Sequence, residues 1–513
     1  MRRRLSGFAR NEDGSILPFS MMVLFLMILI GGLAIDVMRH EEKRVAIQQT
    51  LDNSVLAAAA LKQELDPQFV VEDYFDKVGM SEYLTGVNVS NALNARTVLA
   101  EAAADTQPFF MRMLGVNEFN VIANSGAEES ISNVEISLVL DISGSMNGSR
   151  INNLRPAAKS FVDTILNNSE PGRVSMSVVP YSAQVNLGPD LMAQFNVTRI
   201  QDKTSCVELP DSVFNSISLS RSQSFAHNGH FDPFYGTDAM TTETNCSYYS
   251  AWDSNATAKT SNYVLPISGD RTALKAKIDA LRVGGNTSID LGVKWGSLLL
   301  DPNARPVTTG LIARGVVNGQ FSNRPADFNA SDTLKILVVM TDGENTTEYK
   351  LKEPYRTGLS HVWRNSSGTT AAYFDRSSTN KDYYWPSTGS WSSAPPTGSV
   401  QQTWPQVFEK YSAKYVAYQF YQRPTGVSYG TKYYEMVEAV SSTKNTRLQQ
   451  VCNAAKSAGI VVYGIAFEAP TNGQNQIRAC ATSDAHYFDA QGLEIATVFQ
   501  SIASQISYLR LTQ

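Results

Sequence analysis

The stretch ISLVLDISGSMNGSR, residues 136–150, changes character at Asp141. The residues before Asp141 are almost all apolar, which is typical of a strand buried on both faces of a parallel sheet. After it, the hydroxyls of Ser143 and Ser145 alternate with small residues. In open parallel sheets, ligands bind outside the carboxyl ends of the strands. The stretch therefore predicts a buried strand that delivers one carboxylate and two hydroxyls to a ligand site.

Strand and helix patterns alternate through the chain that follows. A helical stripe of apolar residues at steps of three and four occupies 149–166, and RVSMSVVPYS (173–182) alternates as a strand does. LKILVVMTDGE (334–344) and GIVVYGIAF (459–467) are further buried strands, HYFDA (486–490) is a short last one, and an amphipathic helix closes the chain. This alternation predicts an α/β fold with a doubly wound, mostly parallel sheet and helices on both faces.

Length and composition narrow the class of protein. A chain of 513 residues is too long for one core, and 43% hydrophobic with 18% charged residues is typical of a folded protein. The net charge of −5 gives no support to nucleic-acid binding, which needs a basic surface.

The N-terminal region predicts a membrane anchor. Residues 16–35 are uncharged and would span ~30 Å as a helix, about one bilayer core. We therefore expect a tail at 1–15 and a transmembrane helix at 16–38, with the tail in the cytoplasm, because it carries Arg2, Arg3, Arg4 and Arg10. Gly32 and Ala34 also fit the cleavage site of a secretory signal, which is the alternative.

The region 39–130 is expected to form a stalk led by a helix that continues out of the membrane. At its end, FNVIANSGAEES (119–130) predicts a strand followed by a polar linker, and so a domain boundary near residue 130. Beyond it, polar stretches at about 189–262 and 346–445 break the α/β rhythm. Loops of that length are unusual in a compact domain, so we expect folded inserts.

The four cysteines occur as two local pairs, Cys206 with Cys246 and Cys452 with Cys480. Their spacing is not that of a CxxC zinc or redox site. An even count fits two disulfides in an exported body, which the predicted anchor favours. Four buried thiols are the alternative.

Five oxygen-bearing side chains are expected to converge at the edge where the sheet binds ligands: Asp141, Ser143, Ser145, Thr287 and Asp342. Asp342 ends a second buried strand, and Thr287 follows a Gly-Gly turn at a helix start. An all-oxygen set suits Mg²⁺, with Mn²⁺ or Ca²⁺ as alternatives. Because only two members are carboxylates, such a metal would stay electron-poor and could accept an acidic residue from a protein partner.

This pattern resembles the von Willebrand factor type A domain. DISGS matches its D-x-S-x-S motif, with the later threonine at Thr287 and the TDG aspartate at Asp342. The resemblance implies an A-type domain over 131–513 and a metal-ion-dependent adhesion site. There Ser143, Ser145 and Thr287 would contact the metal directly, while Asp141 and Asp342 would do so directly or through water.

The flanking segments resemble the TadE/G-like proteins of Flp (tight-adherence) pilus assembly, of the TadG type. The basic tail, single span, LAAAALKQ, FFMRMLGVNEFNVIANSGA and CATSDAHYFDA carry this likeness. It implies a single-pass protein of the bacterial inner membrane with a pilin-like α+β stalk, a periplasmic or surface-exposed body, and pilus-assembly or envelope proteins as partners. Pilins of that system are cut after a glycine followed five residues on by glutamate. Because Gly14 is followed there by Phe19, we expect an intact anchor.

Other functions are less well supported by the residues. A metal-dependent phosphatase would need a second carboxylate at position 143, where Ser143 stands, so we expect no enzyme. A purely structural envelope tether, or a surface adhesin whose metal site is only structural, is the main alternative. His227 and His230 are interpreted as solvated loop residues rather than metal ligands. The aromatic residues of the second insert predict a small satellite core, with sugar binding as the alternative.

Overall fold

A computed structural model describes residues 16–60, 63, 65–92, 95–130, 133–167, 169, 171–238, 244–246, 260–330 and 333–509. The chain divides into two compact units, and the division falls between residues 131 and 132. The N-terminal tail expected at 1–15 lies outside the described residues. Each unit is described by itself.

In the part of the chain that the structure describes, the first unit consists of two helices and an antiparallel sheet. Helix α1 spans Ile16–Ala59 and α2 spans Pro67–Lys77, while strands β1 (Leu84–Ala92), β2 (Ala95–Thr106) and β3 (Phe119–Ser130) pair in that order. Within the described residues, α1 is the one helix long and apolar enough to cross a membrane. Its first half exposes Ile, Leu, Met and Phe side chains, whereas Ile47, Leu51 and Val55 in its second half are buried in the core of this unit.

Strand β3 corrects one expectation. Its second half, GAEES, was predicted to be a polar linker, but all of Phe119–Ser130 pairs with β2, from Thr106 opposite Phe119 to Ala95 opposite Ser130. The prediction was wrong because the polar residues of an antiparallel edge strand can face solvent while its backbone keeps the ladder.

The second unit contains the remaining described elements. Its helices are α3 (Ser149–Asn167), α4 (Gly188–Met192), α5 (Arg271–Ala280), α6 (Ile289–Leu298), α7 (Arg305–Ala313), α8 (Trp404–Lys410), α9 (Ala413–Ala417), α10 (Arg423–Thr425), α11 (Tyr429–Met436), α12 (Lys444–Ser457), α13 (Thr471–Cys480) and α14 (Glu494–Leu509). Its strands are β4 (Asn133–Asp141), β5 (Val174–Tyr181), β6 (Asn196–Thr198), β7 (Val207–Glu208), β8 (Ser224–His227), β9 (Leu265–Ser268), β10 (Thr333–Thr341), β11 (Glu348–Leu351), β12 (Leu359–Arg364), β13 (Thr370–Tyr373), β14 (Tyr383–Trp385), β15 (Ser390–Ser392), β16 (Val400–Thr403), β17 (Val437–Val440), β18 (Val461–Phe467) and β19 (Tyr487–Ala490).

The main sheet has the order β19-β18-β10-β4-β5-β9, and only β9 runs antiparallel to its neighbour. The predicted α/β fold with a mostly parallel sheet is thus confirmed. Successive side chains of a strand lie on opposite faces of the sheet. Val139 and Val339 pack on one face in a core with α6 and α12, while Leu138 and Val338 are buried outside that core. Phe161 of α3 contacts Phe499 of α14 at 5.5 Å between ring centroids.

The two long inserts share a second core, as predicted for the aromatic residues. Phe231 of the first insert packs with Trp404, Phe408 and Phe420 of the second, around the five-stranded sheet β15-β14-β13-β12-β16. Part of the first insert, 239–243 and 247–259, lies outside the described residues.

The two expected disulfides are confirmed. Cys206 joins Cys246 within the first insert, and Cys452 of α12 joins Cys480 of α13. All four cysteines are buried. Each bond joins two segments of the unit that contains the main sheet.

Candidate metal centre

The carboxylates predicted for the site lie at neighbouring strand ends. Asp141 is the last residue of β4, and Asp342 directly follows β10. These two strands are adjacent and parallel, with Leu140 opposite Met340. Because parallel strands in register end at the same edge, both carboxylates reach the same side of the sheet.

The hydroxyls complete the cluster. The amide of Ser143 donates to Asp141 Oδ1 at 2.8 Å, Ser143 Oγ lies 3.0 Å from Ser145 Oγ, and Ser145 Oγ donates to Asp342 Oδ1 at 2.7 Å. A methyl group built on Gly343 would lie 3.8 Å from both Ser145 Oγ and Thr287 Oγ1. The structure therefore brings all five predicted residues, from three loops, to one place.

Two glycines let the loops approach this closely. The amide of Gly144 donates to the carbonyl of Gly285 at 2.9 Å, and a methyl group on Gly144 would come within 3.3 Å of that oxygen. Gly285 has a φ of 81°, in the left-handed region that favours glycine. The Gly-Gly turn thus carries Thr287, two residues before the start of α6, against the DISGS loop.

The site contains two acidic side chains and is buried except at Ser145. Asp141, Ser143, Thr287 and Asp342 are buried, whereas Ser145 is exposed. Burial, reinforced by the nearby charge of Asp342, raises the pKa of Asp141 to about 7. Burial also raises the pKa of Asp342. Two carboxylates held this close favour a cation between them.

Residues that the sequence did not single out hold Asp141 in place. Thr341 Oγ1 donates to Asp141 Oδ2 at 2.7 Å, and the hydroxyl of the buried Tyr181 lies 3.4 Å from the same oxygen. Tyr181 also donates to the carbonyl of Met340 at 2.9 Å. The threonine of the TDG motif was visible in the sequence, but nothing marked Tyr181, at the end of β5, as more than a core residue.

Arg150 was also missed. Its Nη1 donates to Asp342 Oδ2 at 2.8 Å, and its Nε donates to Glu468 Oε2 at 2.8 Å. Arg150 thus bridges the loop after β10 to the loop after β18 and holds a positive charge beside the cluster. A basic residue five positions after Ser145 was the available signal.

A buried charge network supports the Thr287 loop. Lys444 Nζ donates to the carbonyl of Thr287 at 3.0 Å and to Ser288 Oγ at 2.5 Å, and lies 3.8 Å from Asp290 Oδ1. Arg447 pairs with Asp290 and, at 3.0 Å, with Glu348. Four fully or almost fully buried charges thus fix the loop that presents Thr287.

The donor set fits a hard divalent cation. Within the described ranges, no group of three or more His, Cys, Asp or Glu side chains is placed to hold a metal. The five-residue cluster instead offers two carboxylates and three hydroxyls, which are all oxygen donors of the kind Mg²⁺, Mn²⁺ and Ca²⁺ take. The exposed Ser145 leaves one side open to an outside ligand.

The two histidines of the first insert are not solvated, so that expectation was wrong. Both His227 and His230 are buried. His227 Nδ1 accepts from the amide of Ile200 at 3.1 Å, and its Nε2 lies 2.9 Å from the carbonyl of Thr204. His227 therefore has protein partners on both ring nitrogens, because the insert folds over it.

Residues 14–61 match the family described as putative Flp pilus-assembly TadE/G-like. No curated protein sequence matches the chain. Similar solved structures include the von Willebrand factor domain of the type V pili tip protein Mfa5 from Porphyromonas gingivalis, at 14% identity and a TM-score of 0.32, covering 73% of this chain and 95% of that one.

Two pilus adhesins resemble this chain with sequence identities and TM-scores close to those of Mfa5. SpaC from Lactobacillus rhamnosus GG has 13% identity and a TM-score of 0.32, with 82% of this chain and 33% of that one covered. RrgA from Streptococcus pneumoniae has 11% identity and a TM-score of 0.30, with 80% and 47% covered. This chain thus spans about a third of SpaC and about half of RrgA.

Proposed function

We propose that this protein is an envelope-anchored binding protein of a Flp-type pilus system. Its body would hold Mg²⁺, or Mn²⁺ or Ca²⁺, through Asp141, Ser143, Ser145, Thr287 and Asp342. The metal would take an acidic side chain from a pilus-assembly or envelope protein. A single pass through the bacterial inner membrane, with the body in the periplasm or at the surface, completes the proposal.

The observation that carries the metal site is the convergence of five oxygen-bearing side chains from three separate loops. Ser145 and Asp342, which are 197 positions apart in the sequence, are joined there by a 2.7 Å hydrogen bond. Buried like charges are costly unless something neutralises them. The cluster keeps two carboxylates together although burial raises the pKa of both, which is an arrangement suited to a cation.

The pilus and membrane parts of the proposal have separate support. The match of residues 14–61 to the TadE/G-like family covers the apolar helix and the segment after it. Helix α1 has the length and composition of a membrane span, and the two disulfides suit a body outside the reducing cytoplasm.

Binding is favoured over catalysis by the hydroxyl contacts. Ser143 Oγ and Ser145 Oγ lie 3.0 Å apart, and Ser145 donates to Asp342. Among the described residues, no hydrogen bond joins either hydroxyl to a histidine that could act as a general base. These contacts support a site that holds an ion over one that activates a nucleophile.

The test uses the full chain in detergent as bait for envelope and pilus proteins from the same cells. Capture is compared with Mg²⁺, with chelator, and with the variants Asp141→Ala and Ser137→Ala in Mg²⁺. Ser137 is a buried residue of the same strand whose hydroxyl has no hydrogen-bond partner in the part of the chain that the structure describes, so its variant is the matched control.

We expect a partner that is captured by the wild type and by Ser137→Ala in Mg²⁺, and is lost with chelator and with Asp141→Ala. Mutating acidic residues of that partner should then abolish capture. Equal capture under all four conditions would contradict the proposal and favour a structural tether.

A further inference from the structure

The loop between β2 and β3 is fastened to the membrane-side half of α1. Asp36, at the end of the apolar stretch, accepts three backbone hydrogen bonds: from the amide of Phe109 at 2.9 Å, of Phe110 at 2.7 Å and of Met111 at 2.8 Å. Asp36 is itself buried. One carboxylate therefore satisfies the amides at the start of a short 3₁₀ turn, Met111–Leu114, and holds it against the helix.

The loop reaches into the part of α1 that is long enough to lie in a bilayer. A methyl group on Gly32 would lie only 2.4 Å from the ring of Phe110, so this ring lies directly on the glycine. Gly32 precedes the end of the apolar stretch at Ile35 by one turn of helix, about 5 Å. If α1 spans the membrane, Phe110 lies below the level at which the apolar stretch ends.

The loop also carries large apolar side chains that are exposed. Phe109 is 67% exposed, Met113 is 74% exposed and Leu114 is 55% exposed. A cluster of three large apolar side chains is costly in water, but it is stabilised where it enters an apolar phase. These three side chains lie beside a helix whose own apolar residues are exposed in the same way.

Positive charges lie immediately above this level. The guanidinium of Arg39 lies 4.5 Å from the centre of the Phe109 ring, and the ammonium of Lys43 lies 4.4 Å from that of Tyr83. Together with Arg112 they line a cavity of about 750 Å³, which Glu42 and Asp105 also line. Basic and aromatic residues are the side chains that occupy the headgroup region of a bilayer.

We infer that residues 109–114 form a second membrane contact: the loop inserts Phe109, Met113 and Leu114 into the outer part of the bilayer beside α1. Arg39, Lys43 and Arg112 lie at the level of the lipid phosphates. The occupant of the apolar surface is thus lipid. The inference rests on the membrane anchoring in the proposed function. It gives the first unit two contacts with the membrane, the helix α1 and the loop 109–114, instead of one.

The experiment measures depth in the membrane for the full chain in nanodiscs of phosphatidylcholine and phosphatidylglycerol. Met113→Cys, Ile28→Cys and Leu99→Cys are labelled one at a time with an environment-sensitive fluorophore, and quenching by lipids with a shallow or a deep nitroxide is recorded. The native cysteines are paired in disulfides. Leu99 is the matched control, because it is an exposed apolar residue of β2, seven positions before Thr106 at the loop end of that strand.

We expect the shallow nitroxide to quench the label at Met113 several-fold more than at Leu99, and the deep nitroxide to quench the label at Ile28. Asp36→Ala, which removes the three acceptor contacts, should lower quenching at Met113 and leave Ile28 unchanged. Quenching at Ile28 with none above the Leu99 level at Met113 would overturn the second contact while leaving the anchor intact. No quenching at Ile28 would overturn the anchor itself, and the second contact with it.

Discussion

Ser145 Oγ donates a 2.7 Å hydrogen bond to Asp342 Oδ1 across 197 positions of sequence. The bond joins the loops that follow two adjacent parallel strands, and it occupies the oxygens that the proposed cation would need. Metal binding would therefore exchange this bond for metal–oxygen contacts. Replacing Ser145 should affect metal binding more than it affects the stability of the fold, because Ser145 is exposed whereas Asp342 is buried.

Ser145→Ala should weaken Mg²⁺ binding by at least about tenfold, the cost of even an outer-shell partner at many metal sites. The free energy of unfolding without metal should change by only about 1 kcal/mol, the net value of one hydrogen bond. Calorimetric titration of the full chain with Mg²⁺ measures the first quantity, and urea unfolding in chelator measures the second. Ser137→Ala is the control and should retain wild-type affinity. Unchanged Mg²⁺ binding by Ser145→Ala would remove this hydroxyl from the site.

Arg150 would compete with the proposed metal for Asp342. Its guanidinium occupies Asp342 Oδ2 at 2.8 Å and is tied to Glu468 on its other side. Arg150→Gln should therefore tighten Mg²⁺ binding roughly tenfold, since a unit charge this close to a divalent ion is worth on the order of 1–2 kcal/mol at a partly exposed site. The same titration measures it. Arg155→Gln, a change on the same helix away from both carboxylates, is the control. Weaker binding by Arg150→Gln would mean instead that Arg150 positions Asp342 for the metal.

The strand ends of the site could be predicted from the sequence, because at each of them a long apolar run is followed by an aspartate. Asp141 and Asp342 follow long apolar runs, and parallel strands bring their carboxyl ends to one edge. Thr287 could be predicted because a Gly-Gly turn and a helix start frame it. These signals are local, so a single sequence contains them.

The supporting residues could not be predicted, because their roles depend on contacts between distant segments. Lys444, Asp290 and Glu348 are residues of types that usually face water, but the folded chain buries all three. The polar half of β3 was interpreted as a linker for a related reason. Its strand character comes from pairing with β2 over twelve residues, and that pairing leaves no mark on the composition of the segment.

The network under Thr287 should be sensitive to the loss of one charge and tolerant of the loss of two. Lys444→Met removes the bonds to the Thr287 carbonyl and Ser288 Oγ and leaves Asp290 with one fewer cation. Breaking a buried pair in this way costs about 3–5 kcal/mol, whereas replacing both partners by apolar residues is often neutral. Urea unfolding should show a large loss for Lys444→Met and recovery in Lys444→Met with Asp290→Leu. A double variant no more stable than Lys444→Met would contradict the pairing.

The second insert should make the protein sensitive to acid through His361. This side chain lies among Phe374, Trp404 and Tyr421. Its Nε2 lies 3.2 Å from the carbonyl of Phe420 and its Nδ1 lies 3.3 Å from the hydroxyl of Tyr421. A neutral ring that donates from Nε2 and accepts at Nδ1 satisfies both partners.

Burial, with a smaller contribution from the nearby positive charge of Lys432, lowers the pKa of His361 to about 4 from its ordinary value of 6.5. Between these values the unfolded chain binds a proton that the folded chain does not. The free energy of unfolding should therefore fall as the pH falls from 6.5 towards 4, by up to about 1.4 kcal/mol per pH unit for this one group. Above pH 6.5 the stabilising contribution of the neutral His361 to the free energy of unfolding is fully present.

His361→Gln removes the titrating group and keeps an amide donor for the Phe420 carbonyl. Urea unfolding of the wild type and the variant, between about pH 7 and about pH 4.5, should show a slope with pH that is smaller in the variant by close to one proton. His486→Gln is the control, because His486 is only partly buried and its loss should change the slope less. Parallel pH profiles for the wild type and His361→Gln would mean that His361 has the same pKa in the folded and the unfolded chain, and would contradict this prediction.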